Sequence, residues 1–150
     1  MKTRLAGLLV LLFASTLIGG CGGDDGDNGT LTIGIADAKP SLPVDAQHVY
    51  VTFDEVRVHK AGGDWESLPL PATPYEIDLL AFSDGASTHL VPPVELEAGK
   101  YTQIRFGLTG GRIEYAGGQD IELTVPSQFL KTDKNFDFDV EGGGAVDLTV

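Results

Sequence analysis

Acidic side chains recur in close pairs along this chain: Asp54-Glu55, Glu76-Asp78, Glu95-Glu97, Asp120-Glu122 and Asp137-Asp139. All but the first are spaced i, i+2, which puts both carboxylates on one face of a strand. Two acids so placed suit a calcium ion or the paired acid chemistry of glycoside hydrolysis. The same spacing describes the polar half of an amphipathic strand, whose charges deter edge-to-edge association. Asp137 and Asp139 alternate with Phe136, Phe138 and Val140, which assigns them to the solvated face and makes them the candidate cation ligands. His48, His59 and His89 lie far apart and lack the short paired spacing of a metal site, so they read as surface residues. His59, with Asp64 and Glu66 across a predicted turn, ranks slightly above the other two.

Nucleophilic catalysis has no support. There is no G-x-S-x-G elbow, Ser127 follows a proline, and the glycine pairs sit between strands with no helix start to cradle a phosphate. The chain is expected not to be an enzyme and to carry no catalytic residue. Trp65, in AGGDWESL, together with Tyr75, Tyr115 and Phe82, offers rings on which a sugar could stack, so Trp65, Tyr75 and Tyr115 are the candidate ligand contacts. The competing reading, favoured for Trp65, has its indole capping the core at the start of a strand.

Cys21 is the one cysteine, and its neighbours give it a chemistry of its own. Lys2 and Arg4 precede a fourteen-residue apolar run, LAGLLVLLFASTLI, that Gly19 and Gly20 close. This is the layout of a secretory signal peptide over residues 1–20, and the run is shorter than the about 20 apolar residues a membrane span needs. Ile18-Gly19-Gly20-Cys21 resembles the lipobox of bacterial lipoproteins. The resemblance implies a diacylglyceryl group on the Cys21 sulfur, cleavage between Gly20 and Cys21, and N-acylation of the new terminus. Gly22 is not the aspartate that marks inner-membrane retention in enteric bacteria, so in a Gram-negative host the resemblance implies the outer membrane.

Residues 21–29 then read as a flexible acidic Gly/Asp tether with no apolar side chain to bury after the cysteine. A calcium loop does not fit there, because its fifth and twelfth positions counted from Asp25 are Gly29 and Ala36. Loss of residues 1–20 removes two of ten basic groups and none of 22 acidic ones, which leaves 8 minus 22, or -14. A surface so acidic repels nucleic acid and anionic headgroups, so attachment to a membrane is expected to rest on the lipid.

Six runs with period-two alternation must position these groups: TLTIGIAD, HVYVTF, TQIRFGL, DIELTV, NFDFDV and AVDLTV. Val56 and Val58 fall on the opposite parity from Val51 and Phe53, which predicts a bulge near Asp54-Glu55. That bulge would turn His59 to the solvent side beside Arg57. EIDLLAFSDG predicts one helical turn at most. Gly- and Pro-rich turns separate the runs, and the pattern over residues 30–150 is that of an all-β, antiparallel sandwich of about seven to nine short strands.

The pieces GTLTIGIADAKP, DAQHVYVTFDEVRVHKAGGDWESL, YEIDLLAF, LEAGKYTQIRFGL and LTVPSQFLKTDKNFDFDV stand in an order that resembles a family of uncharacterised prokaryotic lipoprotein domains, domain of unknown function family 4382. The resemblance covers residues 29–150 and implies a prealbumin- or transthyretin-like sandwich with no established activity. LEAGKYTQIRF is also similar to the L-x-A-G-x-Y edge of carboxypeptidase regulatory-type and adhesin stalk modules. There Ala98-Gly99 makes the tight turn, and Tyr101 buries its ring while its hydroxyl bonds the backbone, as in a tyrosine corner. Family members are expected to run on past the last strand, whereas AVDLTV stops at Val150 with its alternation unbroken, so a truncated C-terminal edge is expected.

The functional expectation is a lipid-anchored, extracytoplasmic, non-enzymatic module that binds a glycan, a cation such as calcium, or another envelope protein. No cofactor is expected beyond the lipid on Cys21, and no nucleic-acid partner. The alternative is a structural or assembly component whose sheet edge is completed by a partner strand.

Overall fold

The computed structural model describes residues 27–36, 45–82, 85–133 and 135–150. Cys21, Gly20, the expected signal segment and most of the expected tether lie outside the described residues. The described chain forms ten strands: β1 (Asn28–Ile35), β2 (Ala46–Lys60), β3 (Trp65–Leu68), β4 (Tyr75–Asp78), β5 (Thr88–Glu97), β6 (Gly99–Tyr115), β7 (Gln119–Leu123), β8 (Phe129–Lys131), β9 (Phe138–Val140) and β10 (Ala145–Thr149). The expected helical turn is a 3-10 turn over Leu79–Phe82.

Two sheets face each other. The smaller has the order β10-β1-β5, and the larger runs β3-β2-β6-β7, with β4 also on β2 and β8 and β9 also on β6. The all-β sandwich read from the alternation is therefore the fold. Two strands are long: β2 has fifteen residues and β6 seventeen, and together they form the spine along which the short strands dock. One pair is parallel, because Thr30 to Gly34 of β1 run alongside Ala145 to Thr149 of β10. None of the six alternating runs covers β5, since Pro92-Pro93 argues against a strand. The prolines are tolerated because β5 is an edge strand whose missing amides cost no ladder partner.

The parity switch in β2 has the predicted cause. Phe53 lies opposite Leu108 and Glu55 opposite Gly107, so Asp54 is the extra residue. A second irregularity, between Thr52 opposite Gly110 and Phe53, gives β6 an extra residue at Thr109. Val56 and Val58 are thereby returned to the core, both fully buried. Gly107 makes room for the bulge: a Cβ there would run into the Asp54 carboxylate and lie 3.1 Å from Glu55 Cβ.

The core lies between the sheets. Leu31 and Ile33 from β1, with Leu90, Val91 and Leu96 from β5, meet Phe53, Val56 and Val58 of β2 and Ile104 and Phe106 of β6. Each such fully buried aliphatic side chain stabilises the fold by about 1.5–3 kcal/mol relative to exposure. The opposite face of the large sheet is turned to solvent, and its side chains are free for other work.

Candidate functional site

On that outer face the register of four strands sets side chains in rows. Ser67 of β3, Arg57 of β2, Arg105 of β6 and Lys131 of β8 are successive cross-strand partners in one row. Trp65, His59 and Gln103 form the neighbouring row. Trp65 therefore does not cap the core. Only one parity of the four-residue strand WESL can face inward, and Leu68, buried opposite Val56, takes that side. The indole instead lies over the outer face, 4.9 Å from the His59 ring and with the Arg105 guanidinium 3.8 Å from its centroid. That cation–π contact is worth about 0.5–1 kcal/mol at an exposed site.

The three cations of the row are unequally neutralised. Arg57 donates to Glu55 at 2.5 Å. Among the described residues neither Arg105 nor Lys131 has an ion pair, and the Arg105 Nε is buried with no hydrogen-bond partner. His59 shares a 3.0 Å hydrogen bond between Nδ1 and the Thr102 hydroxyl, and its Nε2 has no partner among the described residues.

A second cation–π pair, farther along the same face, is built on the same plan and finished differently. Arg112 lies 3.8 Å from the centroid of the Tyr50 ring. Its guanidinium is met by Glu76 at 3.0 Å and by Glu114 and Asp120 at 3.6 Å. The hydrogen bond it donates to Glu76 is the main reason its pKa is raised further. Arg112 is neutralised by carboxylates from three strands and serves to tie β4, β6 and β7 together; Arg105 has nothing comparable among the described residues.

The family assignment rests on the full span of these strands. The profile described as "Domain of unknown function (DUF4382)" matches residues 28–150, from the first residue of β1 to the end of the chain. The chain belongs to the DUF4382 family. Comparison with the curated proteins and with the solved structures returned no match.

The other sequence-derived candidates of this DUF4382 domain are dispersed. Tyr75 pairs with Phe53 and packs against the core, so its ring is turned away from Trp65. Tyr115 ends β6 opposite Ala46, twelve residues along the strand from Gln103, or roughly 40 Å at about 3.3 Å per residue. Phe82 belongs to the 3-10 turn and also packs on the core. Asp137 and Asp139 flank one cation that the chain itself provides: Lys100 is ion-paired with Asp137 and lies opposite Asp139 in the β6–β9 ladder. The Asp137 hydrogen bond, then the charges of both aspartates, raise the Lys100 pKa. Among the described residues no three His, Cys, Asp or Glu side chains cluster in a metal-binding arrangement.

His89 is exposed on β5. His48 is not an isolated surface residue, for its Nδ1 lies 2.6 Å from Asp78 Oδ2. Asp78 Oδ1 also accepts from the Val49 amide at 3.1 Å and from the Leu80 amide at 3.1 Å. One carboxylate thus joins β2 to the 3-10 turn that follows β4. The Asp78 hydrogen bond raises the His48 pKa above its ordinary value, against a smaller opposing effect of burial. A histidine whose folded pKa is raised stabilises the fold fully below about pH 6.5, its unfolded value, and loses that contribution as pH rises through the folded pKa. Urea midpoints of the wild type and His48→Gln at pH 5.5, 7 and 8.5 are therefore expected to converge with rising pH, the wild type losing its advantage. Parallel curves would exclude a coupling between His48 and Asp78.

Proposed function

We propose that this protein is an extracytoplasmic binding module, carried out by a signal peptide, held in the cell envelope through lipid on Cys21, and using the outer face of its large sheet at Trp65 to bind a saccharide. The carrying observation is that a half-buried tryptophan lies on the solvated face among hydrogen-bonding side chains, where the core has no use for it. A flat ring with an imidazole beside it, and with the Gln103 amide and the Ser67 hydroxyl in the same two rows of the face, suits a sugar, which presents an apolar face and a rim of hydroxyl groups. Display of that face needs a tether, and the Gly/Asp stretch after Cys21 supplies one. In a Gram-negative host the lipid would sit in the outer membrane.

A second reading, an assembly component, is favoured by the β10 edge. Gly144 O accepts from Thr30 and the Val150 amide donates to Gly34, so the alternate residues Ala145, Asp147 and Thr149 point their backbone groups away from β1. That edge has no proline, in contrast to β5, and among the described residues no strand pairs with it, which suits the addition of a partner strand.

The anchor is tested by palmitate labelling and membrane fractionation: Cys21→Ala is expected to lose the label and to release the protein into the soluble fraction, and unchanged labelling would remove the lipid claim. Saccharide retention by the full-length protein, lost in Trp65→Ala, is the expected result for the binding face. No saccharide bound, with site-specific crosslinks formed from β10, would favour the assembly reading.

A further inference from the structure

The row Arg57, Arg105, Lys131 poses an energetic problem. Like charges directly opposite one another on adjacent strands destabilise a sheet, and here two such pairs share one residue: Arg57 opposite Arg105, and Arg105 opposite Lys131. The chain has 22 acidic and ten basic side chains, so carboxylates to relieve the row are abundant, yet among the described residues only Glu55 reaches it. The Arg112 cluster shows how the same sheet treats a cation that is structural, surrounding it with three carboxylates. A guanidinium left without an acid in a chain this acidic is a guanidinium available to an anion from outside.

We propose that this row makes the Trp65 face specific for acidic saccharides, with a sugar carboxylate paired to the Arg105 guanidinium. The inference rests on the saccharide reading above and adds the charge of the ligand. Trp65 holds the Arg105 guanidinium by the cation–π contact at 3.8 Å, which fixes the plane of its fork. Its Nε is buried, so the carboxylate approaches the Nη end, as two parallel charge-assisted hydrogen bonds. Lys131, exposed and one strand away at about 4.8 Å spacing, lies where a second carboxylate of a short chain would fall. His59 Nε2, Gln103 and Ser67 border the same ground and match hydroxyl groups. Carboxylate is preferred over a phosphate-rich strand, because a nucleic acid or polyphosphate long enough to leave this small patch would meet the net negative charge of the rest of the surface.

The test uses the full-length protein in detergent and a panel of short oligosaccharides containing hexuronic or ketoaldonic acids, each paired with its neutral methyl ester. The expected result is binding of an acidic member at least tenfold tighter than its ester, with the preference falling as salt is raised. Arg105→Gln should abolish the preference while leaving the ester's weaker binding in place. Lys131→Gln, at an exposed position, should reduce the preference several-fold and serves if Arg105→Gln fails to fold. Equal affinity for acid and ester, or an acid preference that survives both substitutions, overturns the charge assignment and leaves the saccharide reading standing. If neutral saccharides bind and no acidic one does, the charge assignment also falls alone. No binding by any member overturns both.

Discussion

Tyr101→Ala is expected to lower unfolding free energy by about 3–5 kcal/mol, the range for removing a large buried aromatic ring. Tyr101 is fully buried, and its ring stacks on Phe138 with centroids 5.2 Å apart and planes 12° from parallel. That contact holds β9 on the end of β6, where Tyr101 lies opposite Phe138. The hydroxyl donates to the Glu97 carbonyl at 2.8 Å, closing the turn between β5 and β6. Burial, then the charges of Glu66 and Glu97, raise the phenol pKa, so the hydroxyl keeps its proton and its donor role. Tyr101→Phe keeps the ring and removes only the donor, and is expected to cost about 1–1.5 kcal/mol. Urea denaturation of the three proteins, read as midpoints at a common slope, checks both values. Equal losses for Phe and Ala would mean that the hydroxyl, not the ring, carries the effect.

Gly29→Ala is expected to cost at least about 2 kcal/mol, with no buried atom removed. A Cβ at this position would collide with the Glu141 carbonyl oxygen, and would stand 2.7 Å from Val140 Cγ1 and 3.1 Å from the Gly144 carbonyl oxygen. Two of these obstacles are backbone and cannot rotate away. The approach is close because the start of β1 is sewn to the β9–β10 turn: the Thr30 amide donates to Gly144 O at 2.8 Å and the Gly143 amide to Asn28 O at 2.8 Å. Relief requires moving that turn, which strains both bonds. Thermal unfolding is the readout, alongside amide exchange at Thr30 and Gly143, which should speed up together. An unchanged melting temperature would show that β1 can slide away from the turn.

What the sequence reveals here is whatever a single strand can report about itself. Alternation identifies β1, β2, β6 and β9 and their inward sides, the parity switch at Val56 locates the Asp54 bulge, and the L-x-A-G-x-Y motif leads to the Tyr101 hydrogen bond. What it hides is pairing. Arg57, Arg105 and Lys131 are far apart along the chain, and only the register of β2, β6 and β8 makes them neighbours. Trp65 is unreadable for a different reason: WESL is too short for a period, and Trp65 and Leu68, both large and apolar, compete for one inward position. His48 reads as an ordinary surface residue until Asp78 is brought beside it by β4. Proline, a strand breaker by propensity, conceals β5, where an edge position removes the penalty.

The parallel pairing of β1 with β10 sets a condition on the order of events in folding. β1 is the central strand of the small sheet, with β5 on one side and β10 on the other. Its buried face, Leu31 and Ile33, is made early in the chain, yet Thr30 meets its partner only at Ala145. Ring closure over so long a loop costs entropy before it returns any contact, and chains dominated by such distant pairings fold slowly. The small sheet can be completed only when β10 has arrived. Until then β1 has a ladder partner on one side alone, and the small sheet is no more than the β1–β5 pair, while the β2–β6 spine of the large sheet needs nothing beyond Tyr115.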